Sequence, residues 1–334
     1  MKKLLYIGNN LSHGNPTTII QLSLALKTEN VEVLVYSNKK NIFFRLLDMC
    51  WGIIKNYNAS YILIDTYSTA NFYYTFITSQ IARLLHIKYI PILHGGNLPN
   101  RLKNSTLLSK MIFKNSYINV SPSKYLYHEF SKSGYDTIYI PNAISMRLYP
   151  FTLRSVFTPK LLWVRAFDEI YNPKMAVEVL FELKKKYKNA ALCMVGPDKD
   201  GSLQEVIDLA KTKSVADSIE YTGLLSKQEW IKKSKNYSFF INTTNFDNMP
   251  VSIIEAMALG LPVISTNVGG MPYLIEDGVT GKLVAKNNVL QMVNTIESII
   301  ENSSLGIEIT KNAKQQVTHF DEAIVKKMWL NLLK

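Results

Sequence analysis

The chain has 334 residues, 47% of them hydrophobic and 19% charged, which accommodates one large or two medium globular domains and excludes disordered and low-complexity classes. No uninterrupted apolar run reaches the roughly eighteen residues a membrane-spanning helix requires, and Cys50 and Cys193, far apart and in apolar surroundings, read as packing thiols of a reducing compartment and not as a disulfide or metal pair. The formal charge of +12 asks for an anionic partner, whether nucleic acid, an acidic small molecule or an anionic membrane surface, and no nucleic-acid-binding motif supports the first.

The start, Met1 to Gly8, resembles a signal peptide only until Gly8-Asn9-Asn10 interrupts its apolar run, so Leu4 to Ile7 reads as a first buried strand. A polar loop to Thr18 and a helical pattern through Leu26 complete the opening unit of a doubly wound α/β domain. With only Gly8 and Gly14 in the loop, the G-x-G-x-x-G fingerprint of nicotinamide dinucleotides is missing. Strands are predicted at Val31–Tyr36, Tyr61–Asp65 and Tyr89–Leu93, with helices at Asn41–Lys55 and Asn71–Leu85 between them. His94 follows the last of these strands. Ligands of open parallel sheets lie beyond the carboxyl ends of strands, which makes His94 a candidate for chemistry, although a lone histidine is more often structural. Tyr117–Val120, a helix from Ser121-Pro122-Ser123-Lys124 and Thr137–Ile144 close this half. Basic residues cluster with aromatics at 39–45, 101–103 and 110–114, all in the first half, and each reads as a solvated helix face in preference to a membrane contact.

Ser145–Pro159, with prolines and no clear strand, reads as a linker. A second alternating pattern then begins with strand Lys160–Val164, which ends at Arg165. The planar fork of an arginine at that position suits a phosphate, and a surface ion pair is the alternative. Helix Met175–Tyr187, strand Ala190–Val195 ending at Gly196, helix Ser202–Lys211, strand Ser218–Leu224, helix Lys227–Ser234 and strand Tyr237–Ile241 follow. Beyond Pro262–Ser265 and Thr280–Val284, the last helices are Val289–Glu301, Gly306–Phe320 and Glu322–Leu333, the final one expected to cross back to the first domain.

The segment from Asn245 to Ser265 is the most informative. Pro250 suits a first helical position with Asn248 or Met249 as the cap, and Gly260 with Pro262 ends the helix. A short helix with free N-terminal amides is an anion site that a diphosphate fits. Asp247 lies just before the helix and Glu255 in its second turn. Beside Ile254 and Met257, the Glu255 charge needs a hydroxyl or cationic partner. A helix-dipole acid plus a solvated glutamate is the plain alternative.

Two consecutive α/β units with this acid-and-helix segment resemble the GT-B architecture of two Rossmann-like doubly wound domains facing a cleft. The segment itself resembles the signature of glycosyltransferase family 4, a retaining family that uses nucleotide sugars, whose usual pattern is E-x7-E followed by A-M-A-x-G-x-P-V. Asp247 and Glu255 stand at the two acidic positions, and Ala256-Met257-Ala258-Leu259-Gly260-Leu261-Pro262-Val263 matches throughout. Gly269-Gly270-Met271-Pro272 and Asp277-Gly278-Val279-Thr280-Gly281 resemble the family's G-G-x-P-E and D-G-x-x-G pair. The first acid is one methylene shorter than usual, Val164 stands where the family has glycine, Tyr273 where it has glutamate, and the lysine expected shortly after Arg165 is replaced at a distance by Lys174.

The resemblance implies an acceptor-binding domain at 1–148, a donor-binding domain at 149–317 and a C-terminal helix, 318–334, on the first. It implies His94, Arg165 and Asp247 as catalytic residues. Donor contacts would come from Gly14, Arg165, Lys174, Gly196, Leu224, Asn248, Met249, Pro250, Val251 and Glu255, with Glu255 on the ribose hydroxyls. It implies no obligatory metal or other cofactor, the leaving diphosphate being stabilised by Arg165, a second cation and the helix N-terminus. The expected partners are a nucleotide sugar and a glycan or lipid-linked glycan acceptor, with no nucleic acid, in the cytoplasm or at the inner face of an anionic membrane. Competing expectations on the same architecture are a nucleotide-sugar epimerase, a phosphorylase carrying pyridoxal phosphate, and a non-catalytic partner subunit.

Overall fold

A computed structural model describes residues 2–10, 18–27, 29 and 31–334. They divide into two compact units, one reaching to Ala143 and taking in Glu322–Lys334, the other spanning Ile144–Asp321. The first comprises β1 (Lys3–Ile7), α1 (Thr18–Lys27), β2 (Glu32–Tyr36), α2 (Ile42–Lys55), β3 (Tyr61–Thr66), α3 (Asn71–Leu84), β4 (Lys88–Leu93), α4 (Leu98–Asn104), α5 (Thr106–Phe113), β5 (Asn119–Ser121), α6 (Lys124–Lys132) and β6 (Thr137–Tyr139). The second comprises β7 (Lys160–Val164), α7 (Pro173–Lys186), β8 (Ala191–Val195), α8 (Ser202–Thr212), β9 (Ile219–Gly223), α9 (Lys227–Ser234), β10 (Phe239–Asn242), α10 (Val251–Ala258), β11 (Val263–Thr266), α11 (Met271–Leu274), β12 (Lys282–Val284), α12 (Val289–Glu301) and α13 (Ser303–Val317). The chain then returns to the first unit as α14 (Glu322–Leu332).

Both sheets are six-stranded and parallel, in the orders β2-β1-β3-β4-β5-β6 and β12-β11-β10-β7-β8-β9. Strands buried on both faces read as continuous apolar runs, which is why β1 and β3 show no polar alternation. Successive side chains still point to opposite faces. Leu4, Tyr6 and Leu63 pack with Ile19 and Leu26 of α1 and with Val325 and Trp329 of α14, while Leu5, Ile7 and Ile62 pack with Met49 and Ile53 of α2 and Tyr74 of α3. The second sheet is sandwiched in the same way, with Leu161, Trp163 and Met194 on one core and Leu162, Cys193 and Phe240 on the other.

Chain direction across each sheet reverses once, at β1/β3 in the first and β7/β10 in the second. The crevice at such a switch point is where open α/β sheets hold ligands. The segment Ser145–Pro159, expected as a linker, is packed structure of the second unit. Tyr149 and Phe157 are buried there, and the Arg154 guanidinium donates to the carbonyls of Tyr237 (2.8 Å), Gly260 (2.7 Å) and Ser234 (2.9 Å). An apolar side chain every few residues and one arginine that satisfies several loop carbonyls hold it down, with a single 3-10 turn at Met146–Leu148 as its regular structure. Among the described residues no helix is long and apolar enough to cross a membrane.

Candidate active site

Arg165 and Asp247 leave the two strands that flank the switch point of the second sheet. Arg165 follows β7, its amide donating to Val195 O (3.0 Å), and Asp247 lies in the loop after β10. Arg165 Nη2 donates to Asp247 Oδ2 at 2.5 Å, and both side chains are largely buried. The guanidinium carbon lies 5.0 Å from the centre of the Tyr171 ring, a cation–π contact. Arg165 Nε is buried with no protein partner. A charged donor left unpaired inside a protein is costly, so this atom is one a ligand would satisfy.

Glycines let the backbone close around this pair. A Cβ on Gly196 would stand 1.8 Å from the carbonyl oxygen of Arg165. Gly270 donates its amide to Asp247 O (2.9 Å), and a Cβ there would stand 1.6 Å from Asn248 O. Asp247 Oδ1 accepts from the Asn248 amide at 2.7 Å, which fixes the carboxylate against its own loop.

Helix α10 begins at Val251. Pro250 is its cap and not its first helical residue, since its ψ of 118° is extended while its carbonyl already accepts from the Ile253 amide at 3.2 Å. Pro250 has no side-chain group to cap the helix, whose N-terminus carries the positive end of its dipole. Ser252 Oγ, in the first turn, is buried without a partner. Gly260, at φ 81°, ends the helix as expected, with Leu261 N donating to Ala256 O at 3.0 Å. Asn248, Met249 and Pro250 are buried beneath the mouth, whereas Leu224 is exposed in the turn after β9.

Glu255 is buried and receives the two kinds of partner its surroundings require. Tyr149 Oη donates to Oε1 at 2.6 Å, and Lys227 Nζ, at the start of α9, bonds the same oxygen. Burial, and then the Glu255 charge, push the Tyr149 hydroxyl far above its ordinary range, so it stays a donor. Lys174 stands apart from these groups: it is an exposed residue of α7 whose ammonium pairs with Glu205 of α8.

In the first unit, His94 follows β4 and its Nε2 lies 2.9 Å from Asp65 Oδ1, an atom that also accepts from Tyr6 Oη at 2.9 Å. The Tyr67 ring stacks on the imidazole at 5.2 Å. Gly8 leaves room for Asp65, for a Cβ there would come within 2.6 Å of Oδ2. Gly14 lies outside the described residues. No group of three or more His, Cys, Asp or Glu able to hold a metal forms among the described residues.

Sequence reasoning did not find Tyr149, Lys227, Asp65 or Tyr6. The requirement for a partner on Glu255 was readable, but its donors come from 106 and 28 residues away with no local pattern to mark them.

Two parallel doubly wound units with an arginine–acid pair at the second switch point are the GT-B glycosyltransferase fold. Residues 155–316, within the second unit, match the family described as "Glycosyl transferases group 1". An uncharacterized glycosyltransferase of Methanocaldococcus jannaschii is 26% identical over 242 residues, 69% of this chain and 64% of the relative. An uncharacterized glycosyltransferase of Haemophilus influenzae is 25% identical over 152 residues, 45% of this chain and 42% of the relative. The chain thus spans less than two thirds of the length of either curated relative. Among solved structures, the Anabaena protein HepE in complex with UDP and glucose has the same fold, with a TM-score of 0.78 at 16% identity over 100% of this chain and 99% of its own.

Proposed function

We propose that this protein is a retaining hexosyltransferase of glycosyltransferase family 4, which moves a sugar from a nucleoside diphosphate donor to a glycan acceptor, lipid-linked, in cell-surface polysaccharide assembly at the cytoplasmic face of a membrane. The Arg165–Asp247 pair at the switch point of the second sheet carries this reading. Breaking the bond between the sugar's anomeric carbon and the diphosphate leaves an electron pair and growing negative charge on the departing oxygen. Arg165 and the N-terminus of α10 offer it a fixed positive environment, with no reorganisation at the moment of reaction.

Glu255 takes the ribose hydroxyls, with Tyr149 and Lys227 holding its carboxylate in one orientation. Val251 and Ser252 supply donors to the phosphates, and Gly196 and Leu224 border the same carboxyl-end surface. Asp247 takes sugar hydroxyls. Lys174 is left out of this assignment, because its ammonium is engaged by Glu205 on the surface of the unit. In the first unit His94 is assigned to the transfer chemistry, held by its contact with Asp65. The crystallised complex of HepE with UDP and glucose supports a UDP-sugar as donor.

Thermal unfolding in the presence of UDP-, GDP- and dTDP-sugars tests the donor reading, since a ligand of the native state raises the midpoint. Protection by one nucleotide class is expected, together with donor consumption only when an acceptor is present. No protection by any nucleotide diphosphate overturns the donor site. Conversion of the sugar without an acceptor would assign an epimerase, and full activity in both Arg165→Ala and Asp247→Ala proteins would assign the chemistry elsewhere.

A further inference from the structure

Helix α2 carries a second apolar face that nothing in its own unit covers. Its inner stripe, Met49, Gly52 and Ile53, is buried on the sheet. On the opposite side, at steps of three and four residues, Phe44, Leu47, Trp51 and Ile54 are 61%, 49%, 61% and 49% exposed, with Phe43 beside them at 64%. Single exposed apolar residues are ordinary, but a continuous row with two aromatic rings in edge contact at 6.0 Å and a tryptophan is a surface built for contact. The aromatics of the 39–45 cluster are exposed together with its lysines, and Asp48, the acid of α2, is half-buried beside them.

The rim of the row is cationic. Arg45 turns inward and donates to the carbonyls of Lys39 (2.7 Å) and Lys40 (2.8 Å), pinning that segment while the two lysine side chains remain exposed. Exposed Lys55 marks the other end of the helix. An open groove runs between Lys39–Asn41 and the Phe44, Leu47 and Trp51 side chains, with Asp48 also on its wall, so two lysines, one carboxylate and apolar atoms share one hollow. From Lys39 to Lys114 the chain has ten lysines and arginines against two acids, Asp48 and the buried Asp65.

We propose that this face of α2 docks the protein on an anionic lipid bilayer, with Phe44, Leu47, Trp51 and Ile54 entering the boundary between headgroups and acyl chains and Lys39, Lys40 and Lys55 meeting lipid phosphates. An amphipathic helix lying in the interface combines this apolar row with this basic rim. A second copy is disfavoured, because an isologous contact would set the lysine rim against itself. The proposal deepens the membrane-facing part of the functional reading, but it stands on this surface and is tested without donor or acceptor.

Trp51 is exposed while Trp163, Trp230 and Trp329 are buried, so a shift of tryptophan emission on adding vesicles reports on α2. The full chain is mixed with vesicles of phosphatidylcholine alone or with added phosphatidylglycerol. Anionic vesicles are expected to move the emission to shorter wavelength and to float the protein, and added salt to reverse both. A Leu47→Ser/Trp51→Ser protein is expected to keep its unfolding midpoint and its protection by nucleotide sugars while losing flotation. Each of Lys39→Gln, Lys40→Gln and Lys55→Gln is expected to weaken partitioning about fivefold, the factor that about 1 kcal/mol per basic residue at an anionic surface gives. Equal binding to neutral vesicles, flotation without an emission shift, or self-association abolished in the Leu47→Ser/Trp51→Ser protein overturns the proposal, the last by assigning the face to a second copy. Vesicle binding without nucleotide protection would instead sink the donor reading alone.

Discussion

Tyr149 Oη donates a 2.6 Å hydrogen bond to Glu255 Oε1, joining a residue of the irregular segment before β7 to the second turn of α10. Lys227 reaches the same oxygen, so a buried carboxylate is held by one neutral and one cationic donor. Tyr149→Phe removes the neutral donor and keeps the ring. The expected loss is about 1.5–3 kcal/mol of unfolding free energy, the range for a hydrogen bond to a charged group, measured as a lower urea midpoint at unchanged slope. Because Glu255 loses its fixed orientation, nucleotide protection should weaken as well. Unchanged stability would mean that Lys227 alone suffices.

The approach of Gly270 to Asn248 makes a second prediction. A Cβ at 1.6 Å from a carbonyl oxygen cannot be accommodated by a side-chain rotation, because the obstacle is backbone. Gly270→Ala must therefore push the Asp247–Asn248 loop away from the mouth of α10. Loss of nucleotide protection and a destabilisation of at least about 1–3 kcal/mol, as for overpacking, are expected. Wild-type protection in this variant would show that the loop does not shape the donor site.

The layered α/β plan was legible because strands buried on both faces announce themselves as apolar runs and because helix signals such as Gly260 are local. Residues at strand ends were legible for the same reason: Arg165 and His94 follow β7 and β4, and topology alone carries them to the carboxyl edge. What stayed hidden is contact between distant segments. Nothing near Tyr149 marks it as the partner of Glu255, and nothing near Asp65 marks it as the partner of His94. Exposure was hidden too. The 39–45 cluster looks alike in sequence whether its aromatics turn in or out, and only the inward Arg45 with the outward Phe44 decides it.

Arg165 and Asp247 should behave as a coupled pair. Arg165→Lys keeps the charge but loses the planar fork and the stacking on Tyr171. If Arg165 meets the leaving diphosphate, kcat should fall about 100- to 1,000-fold, the range for removing one transition-state donor. Asp247→Asn weakens the 2.5 Å ion pair, and the double variant should cost less than the sum of the two single changes. Additive effects in that cycle would show that the pair does not act as a unit.

His94 should depend on Asp65 for its orientation. Asp65 Oδ1 accepts from Tyr6 Oη and contacts His94 Nε2, so Asp65→Asn disturbs the tautomer and angle of an imidazole it leaves chemically intact. Under the proposed function, transfer should slow by about tenfold or more while nucleotide protection, a property of the second unit, is unchanged. Tyr6→Phe should produce a smaller effect in the same direction. A protein with Asp65→Asn that transfers at the normal rate would separate His94 from the chemistry.

Burial in the core of the second sheet pushes the Cys193 thiol up to about 11 from 9.0. The folded protein therefore keeps this proton over a range in which the unfolded chain releases it. The stability this difference contributes is complete below about pH 9 and is lost as pH rises through about 11. Tyr139 and Tyr221, each pushed up to about 12 by burial, extend the same trend higher. Urea midpoints taken at intervals across this range should fall steadily, and Cys193→Ala should flatten the lower part of the decline while leaving the tyrosine part. An unaltered slope in that variant would mean that the thiol loses its proton in the folded protein as easily as in the unfolded chain.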